Sequence, residues 1–598
     1  MHRPRAALTT VSALAAVALA GAIGVPVAMA TSEDPTGAPS AATSGKPSGS
    51  TSGSTSGKAA VATADDPVTH EENDRVPEGA AWTQHYFPSS DGSDVELHAD
   101  VLLPEGLEKG EQVPVIMSAG SYFGHSGEIF DEGHPNTGPS DRFGDLVEGI
   151  DLFDRGYALV LVDTRGYGGS TGCIDFAGPG EQADVAAAID WAADQSWSTG
   201  AVGMYGKSYD AVTGLIGNNL DQDALKAVVA QEPIWDMYDR VRSNGVPRQE
   251  GIIAPSTYNT IAQLPQMPDD DERYVKNSQY ELTHPECLAA NTVNNLIADP
   301  GTSYWQDRDL AKHAAGTDTP LFVTQGFLEW NTRAEGMEEY LTNHEGPQRG
   351  WLGPWDHVRG NDRTEDGTLK MGREGWFDEI GAFYDEYLKG VEPTTDYPAY
   401  SVQDSTGTWR AEDSWPVVDK TARIKLGSGS YVDDGGPQEE QDGSRSSFVK
   451  WSEPVERDTR VVGTPKVSLK AKGNGNVLVE LHDVAPDGTA VAFDEQAAVV
   501  QAGRLTVDLE SADWTLAAGH RLAVEIGSIQ NGSWVDTPSG QKIKATDVRL
   551  ELPLDDPAGD VPTEGDRAVW LDSYLAAYTA EMTPGEATFT VPSPGARD

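Results

Sequence analysis

Residues 202–210 read Val-Gly-Met-Tyr-Gly-Lys-Ser-Tyr-Asp, an apolar run ending in Gly206-Lys207-Ser208, and Ala211-Val212-Thr213-Gly214-Leu215 behind it can start a helix. A serine on a sharp strand-to-helix turn lifts its hydroxyl clear of the sheet, and the helix turns backbone N–H groups toward any oxyanion that forms. Ser208 is therefore the candidate nucleophile, and Gly206 gives the room so tight a turn needs. Such a serine needs a base, and the base an orienting carboxylate. In one recurring chain order the acid and then the histidine follow the serine, each in a loop after a later strand. Leu321-Phe322-Val323-Thr324 is a β-rich run, and just past it comes Gly326-Phe327-Leu328-Glu329-Trp330-Asn331. Gly350-Trp351-Leu352 leads into Gly353-Pro354-Trp355-Asp356-His357. The roles assigned are Ser208 as nucleophile, His357 as general base and then acid, and Glu329 as the carboxylate that orients and charges the imidazole. The chemistry is acyl transfer to water through a serine ester.

Elements of the right kind surround these residues. Tyr157-Ala158-Leu159-Val160-Leu161-Val162-Asp163 reads as a buried parallel strand, and 163–170 as the Gly-rich loop at its carboxyl end. Residues 181–193 have helical periodicity through Val185, Ile189 and Trp191, and Ala227-Val228-Val229-Ala230 follows the nucleophile strand. Alternating strands and helices predict an α/β architecture, a mostly parallel sheet covered on both faces, with ligands at the carboxyl ends of its strands. Trp82 to Leu103 reads as a hairpin turning at Ser89-Ser90-Asp91-Gly92-Ser93. The expected organisation is the first half of the catalytic domain over 76–231, a helical cap over 232–319, the second half over 320–395 ending in an amphipathic helix near 376–388, and a β-sandwich over 396–598. The sandwich is read from short alternating runs such as Lys466-Val467-Ser468-Leu469-Lys470 and Arg521-Leu522-Ala523-Val524-Glu525-Ile526. Taken alone, a terminal sandwich with exposed aromatics such as Trp514 and Trp534 suits sugar stacking; packing against the catalytic domain is the other reading.

At 598 residues the chain is too long for one domain. Residues 1–30 begin with His2, Arg3 and Arg5, pass through an Ala/Leu/Val-rich run and end at Ala28-Met29-Ala30, which predicts a signal peptide, export and no stable membrane insertion. The Ser/Gly/Thr-rich stretch 31–75 reads as a disordered tether. A net charge of −52 argues against nucleic acid or an anionic membrane as partner. The run Asp269-Asp270-Asp271-Glu272 reads as a solvated loop, since it lacks the alternating ligand spacing of a calcium loop. Cys173 and Cys287 are the only cysteines and are candidates for a disulfide in an exported chain. They lie in no metal-ligand pattern, so neither a metal nor a cofactor is expected.

From about Trp82 onward the chain resembles the family of Xaa-Pro dipeptidyl-peptidases and cocaine-esterase-like acyl hydrolases. Four motifs carry the resemblance. Gly206-Lys207-Ser208-Tyr209-Asp210-Ala211 matches the family's Gly-x-Ser-Tyr-x-Gly, with alanine for the last glycine; Asp163-Thr164-Arg165-Gly166 and Gly353-Pro354-Trp355-Asp356-His357 match two further motifs. In the fourth, Glu329 stands where the family normally has Asp, one methylene that a shifted loop can absorb. The resemblance implies an α/β-hydrolase fold with a helical cap insertion and a C-terminal all-β jelly-roll sandwich. It also implies an oxyanion hole built from the hydroxyl of Tyr122, in the loop after strand 113–118, and the backbone N–H of Tyr209. Residues 234–245, from Ile234-Trp235-Asp236 to Ser243-Asn244-Gly245, resemble the peptidases more than the esterases. A dipeptidyl-peptidase must hold a substrate's terminal ammonium in a closed pocket, and Asp210, Glu232, Asp236 and Asp239 are candidates for that subsite. The implied substrate is a peptide or a small acyl compound. Two alternatives stay open: an esterase or amide acylase, and a catalytically silent secreted binding module.

Overall fold

The run Ala158–Asp163 is buried at every position, which demands cover on both faces, and it lies inside a twelve-stranded sheet. The computed structural model describes residues 68–69, 73–128, 133–435, 445–529 and 532–595. The expected leader 1–30 and the tether up to residue 67 lie outside the described residues. In chain order the sheet receives β1 (Val68–Thr69), β2 (Ala80–Pro88), β3 (Glu96–Pro104), β4 (Val113–Gly120), β5 (Ala158–Asp163), β6 (Ser198–Lys207) and β7 (Leu225–Gln231). A cap segment with the hairpin β8 (Arg242–Ser243) and β9 (Val246–Pro247) intervenes. The sheet is completed by β10 (Leu321–Gly326), β11 (Gln348–Gly353), β12 (Tyr400–Gln403), β13 (Trp409–Glu412) and the short Val561–Pro562. The spatial order is β1-β2-β3-β5-β4-β6-β7-β10-β11-β12-β13 with Val561–Pro562 at the edge, and every pairing from β5 to β12 is parallel.

Alternation within the strands divides the core in two. Val115, Met117, Val160 and Met204 face helices α1 (Pro179–Ala193) and α2 (Tyr209–Leu220) through Val185, Ile189, Val212 and Leu215. Ile116, Leu159, Leu161 and Tyr205 face Ile380, Phe383 and Tyr384 of α5 (Trp376–Lys389). Between β7 and β10 the chain leaves the sheet for the cap, whose longer helices are α3 (Gln249–Ala262) and α4 (Glu286–Asn294). A disulfide joins Cys287 of α4 to Cys173 in the loop after β5, with Cα atoms 5.2 Å apart. Downstream, two six-stranded sheets enclose one apolar core that includes Val467, Leu481, Val524 and Leu550.

The structure refines the expected organisation at five points. The tether does not run to residue 75: β1 pairs with Thr83 and Gln84, and the Arg75 guanidinium donates to the carbonyls of Asn136 (2.8 Å) and Pro139 (3.1 Å). The hydrolase sheet extends past the 395/396 boundary, because β12 continues the parallel ladder from β11 and β13 closes on β12. The C-terminal β-rich part also carries helix α6 (Val569–Tyr578), whose Tyr574 hydroxyl donates to the Ala492 carbonyl at 2.7 Å. Trp514 and Trp534 are buried, Trp514 stacked on Phe493 at 5.3 Å, which agrees with packing and not with sugar stacking. Finally, the acidic run is built into the structure: the Asp270 side chain has no exposure, and Asp271 caps the helix Glu272–Asn277 by accepting from the Arg273 N–H.

Candidate active site

Ser208 stands between β6 and α2 at φ 66°, ψ −122°, a region that costs a non-glycine residue roughly 1–3 kcal/mol and persists only where the surroundings enforce it. The turn is too tight for a side chain at 206, where a Cβ would fall on the Asp210 carbonyl. The Ser208 N–H donates to the Gln231 carbonyl at the end of β7 (2.9 Å). Tyr209 opens α2, so no carbonyl lies a turn behind its N–H within the helix. Its side chain is buried: the hydroxyl donates to Glu181 (2.7 Å) and accepts from the Ala177 N–H (3.0 Å), which fixes the loop before α1.

Glu329 follows β10 and His357 follows β11, two adjacent parallel strands. His357 Nδ1 lies 3.2 Å from Glu329 Oε1, with the carboxylate shut from solvent and the imidazole slightly exposed. The longer side chain curls over its own loop. Glu329 Oε1 accepts from the Asn331 N–H (2.8 Å), and Oε2 accepts from the N–H groups of Thr332 (2.7 Å) and Arg333 (2.6 Å) and from the Thr332 hydroxyl (2.8 Å). These donors and His357 outweigh burial and hold the carboxyl at a pKa of about 2. Burial and the Lys207 ammonium push His357 below the ordinary imidazole range against the pull of Glu329, so it is neutral at neutral pH, the form a base requires. Lys207 is itself pushed down to about 8, by burial and by the neighbouring Arg142 and Arg359.

The four carboxylates expected around an ammonium subsite separate into two kinds. Asp210 is fully buried and ion-paired with Arg142 Nε beneath the turn, where the same guanidinium donates to the Lys207 carbonyl (3.1 Å) and to Glu128 (2.8 Å). Burial pushes its carboxyl up to about 6. Glu232 is also fully buried, at φ 50°. It accepts from the Gly326 N–H (2.9 Å) and Trp355 Nε1 (2.9 Å), and so ties the segment carrying Glu329 to the segment carrying His357. Gln231 continues that tie: its carbonyl holds Ser208, and its side-chain oxygen accepts from the Gly360 N–H (3.1 Å) three residues past His357. Glu232 thus braces the site, and Asp210 is held by Arg142 through Oδ2 while its Oδ1 is buried without a hydrogen-bond partner. Asp236 and Asp239 differ. They lie in the cap on and before the short helix Met237–Val241, half-buried, with Glu335 and Asp309 as charged neighbours. Burial and this like-charge crowding push Asp236 up to about 8 and Asp239 well above its usual range. Arg240 of the same helix donates to Asn331 of the acid loop (3.1 Å).

The Tyr122 hydroxyl shares a hydrogen bond with the Tyr258 hydroxyl of α3 (2.8 Å), and the Arg142 guanidinium lies over its ring, 4.1 Å from the centroid. Arg142 therefore touches the Tyr122 loop and the nucleophile turn at once. Sequence reasoning missed it, and missed Arg333, because both act through partners far along the chain and neither lies in a motif.

A family profile described as X-Pro dipeptidyl-peptidase (S15 family) matches residues 91–359, and one described as X-Pro dipeptidyl-peptidase C-terminal non-catalytic domain matches 393–550. A Bacillus cereus protein named "Putative Xaa-Pro dipeptidyl-peptidase" is 23% identical over 464 residues, 67% of this chain and 76% of that protein. The cocaine esterase of Rhodococcus sp. is 22% identical over 479 residues, 63% of this chain and 81% of that enzyme. Among solved structures, an aminopeptidase from a marine sediment archaeon superposes with a TM-score of 0.60 at 18% identity, over 82% of this chain and 100% of that one, a likeness of fold. With both profiles in chain order over the sheet, cap and sandwich just described, the chain belongs to the family of Xaa-Pro dipeptidyl-peptidases and cocaine-esterase-like hydrolases.

Proposed function

We propose that the protein is a serine-type acyl hydrolase, and that its bond is the amide after an N-terminal Xaa-Pro dipeptide. Ser208 attacks the acyl carbon while His357 takes its proton, Glu329 holds the imidazole with Nδ1–H toward the carboxylate, and the Tyr122 hydroxyl with the Tyr209 N–H receives the oxyanion. His357 then protonates the leaving amine, and water resolves the ester by the reverse sequence. The observation that carries this reading is the enforced φ of 66° at Ser208, on a turn bonded through Gln231 to the loop of a buried Glu329–His357 pair. Peptide over ester is supported by the S15 profile over 91–359 and by Asp236 and Asp239, neighbouring cap carboxyls that burial and like charge keep protonated and that a substrate ammonium would ionise and pair with. The cocaine esterase relative supports an ester or small-amide substrate as the second reading.

Labelling by a fluorophosphonate that disappears in Ser208→Ala tests the nucleophile and separates an enzyme from a silent binding module. Rates on Gly-Pro-anilide, its N-acylated form and an aryl ester then decide the bond. The dipeptidyl-peptidase reading requires the free amine to be preferred and the preference to collapse in Asp236→Asn/Asp239→Asn. Equal rates on the acylated anilide would end it in favour of the esterase.

The protein works after export. The small-x-small site Ala28-Met29-Ala30 and the Cys173–Cys287 disulfide support this, since such bonds persist in oxidising compartments. Among the described residues no helix is long and apolar enough to cross a membrane. A mature N-terminus near Thr31 in culture medium is the expected result.

A further inference from the structure

A second group of buried titratable side chains lies at the β3 edge, apart from the Ser208 turn. β3 supplies His98 and Asp100, two positions apart and so on one face, both fully buried. His125 comes from the loop after β4, three residues beyond Tyr122; Asp163 ends β5; Asp270 comes from the cap. Each histidine has a carboxylate behind it: His98 Nδ1 is 2.9 Å from Asp163 Oδ2, and His125 Nδ1 is 2.7 Å from Asp270 Oδ2. An ionised carboxylate only accepts, so each Nδ1 carries the hydrogen and each Nε2 of a neutral ring keeps its lone pair.

Those lone pairs point at more acceptors. His125 Nε2 lies 3.0 and 3.2 Å from the two oxygens of Asp100. His98 Nε2 lies 3.2 Å from Gln84 Oε1 and 3.8 Å from Asp100 Oδ1. The Gln84 amide cannot be turned to relieve this, because its Nε2 donates to Asp270 Oδ1 (3.2 Å). Two ring nitrogens, the amide oxygen of Gln84 and the Asp100 carboxylate, whose Oδ1 also accepts from Trp82 Nε1 (2.7 Å), therefore converge. The ligand atoms of His98, Asp100 and His125 all lie within 4.8 Å of one another. Either a second proton on each ring or a cation relieves the arrangement.

We propose that this cluster is a metal site in which His98 Nε2, His125 Nε2 and the Asp100 carboxylate bind a zinc-type dication and Gln84 Oε1 completes the shell. Metal-binding histidines almost always give their other ring N–H to a carboxylate or carbonyl, and here both do. Tetrahedral zinc with ligands at about 2.0–2.1 Å sets the ligand atoms about 3.3 Å apart; Asp100 Oδ1 lies 3.2 Å from His125 Nε2 and 3.8 Å from His98 Nε2, and Gln84 Oε1 lies 3.2 Å from His98 Nε2. Three buried carboxylates, of Asp100, Asp163 and Asp270, surround the two rings, a concentration of negative charge that a dication offsets. Tyr274 stacks on His125 (ring centroids 3.9 Å apart) and meets His98 edge-on (4.9 Å), so water is kept out and the site is closed, as structural zinc sites are. Bound there, the ion fixes the loop carrying Tyr122 to β3 and, through Asp270, fixes the cap to the same edge.

The test uses the full chain purified without chelator, with metal content measured before and after dialysis against a chelator and return of zinc or cobalt. The expected result is about one equivalent retained through desalting, tetrahedral visible bands with cobalt, and a melting midpoint that falls on chelation and recovers with zinc. His98→Gln loses the equivalent, and Asp163→Asn weakens zinc binding about 10–100-fold. A wild-type chain that takes up neither metal, or one whose stoichiometry is matched by His98→Gln, overturns the proposal and leaves two protonated imidazoles in its place. The wild-type measurement stands alone, so a variant that fails to fold does not spoil the test.

Discussion

Replacing Glu329 by glutamine tests the proposed mechanism at its carboxylate. The carboxyl is held at about 2 from a usual 4.5, a shift worth about 3 kcal/mol of preference for the charged form in a fully buried group. That preference is divided between His357 and the four donors of residues 331–333. An amide of the same shape cannot serve both. Turning its oxygen to the loop donors points an N–H at His357 Nδ1 and forces the wrong tautomer; turning it the other way leaves buried N–H groups facing N–H groups. Turnover of the best substrate from the anilide and ester panel should fall roughly 10³–10⁴-fold, with fluorophosphonate labelling slowed in parallel. The stability signature has a definite sign. A carboxyl depressed by folding contributes fully above its unfolded value near 4.5, and the contribution is lost as the pH falls toward about 2. Glu329→Gln should therefore melt lower than wild type at neutral pH and lose less of its stability on acidification. Glu329→Asp, too short to reach the Thr332 and Arg333 N–H groups from the same backbone, should fall between the two. Turnover of Glu329→Gln within tenfold of wild type, with the melting shift present, would mean the carboxylate only folds its own loop.

Three further outcomes follow from the same geometry. Tyr122→Phe should lower kcat about 10²–10³-fold with little change in KM, while Tyr258→Phe, which removes only the partner of that hydroxyl, should cost much less; equal losses would make the pair a packing contact. Lys207→Met removes a cation that pushes His357 down, so the acid limb of kcat/KM should move to higher pH; the two profiles should converge above about pH 8, where wild-type Lys207 loses its own proton. An unmoved acid limb would refute the assignment of His357 as base. Reducing the Cys173–Cys287 bond, which closes 114 residues of chain, should lower the melting midpoint by the equivalent of at most about 5 kcal/mol, and Cys173→Ser/Cys287→Ser should be insensitive to reductant.

What could be read from the sequence was whatever is local. Gly206 and Ser208 announce a strained turn because only a missing Cβ fits beside the Asp210 carbonyl, and five or six residues suffice to show it. The parallel core strands are legible because cover on both faces makes them apolar without interruption. Asp210 and Glu232 show the opposite limit. Each is a carboxylate close in sequence to the nucleophile, and a substrate ammonium is the natural partner to assign. Their actual partners are Arg142, 68 residues before Asp210, and Gly326 and Trp355, 94 and 123 residues beyond Glu232. β12 and β13 have the short alternating pattern of the sandwich strands that follow; only the edge of β11, invisible to a local pattern, assigns them to the hydrolase sheet. Trp514 and Trp534 show the related limit, since a period of two states which residues share a face and not which face is buried.

The acid loop shows why the C-terminal sandwich belongs to any account of the site. Arg333 caps Glu329 with its N–H at φ 64°, a backbone conformation that something must enforce. Its side chain, fully buried, crosses into the sandwich, pairs with Glu510 and donates to the Glu495 carbonyl (3.3 Å). The guanidinium lies 5.5 Å from the ring centroids of both Trp330 and Trp534, one on each side of the boundary. Glu335, two residues on, accepts from Gln496, and Trp570 of α6 donates to the Leu328 carbonyl (3.3 Å) just before the acid. The loop is thus gripped at 328, 333 and 335 by a domain that supplies no reacting group. The Glu329 carboxylate reaches His357 from a loop whose shape the sandwich sets, so the pair and these contacts form one structural arrangement.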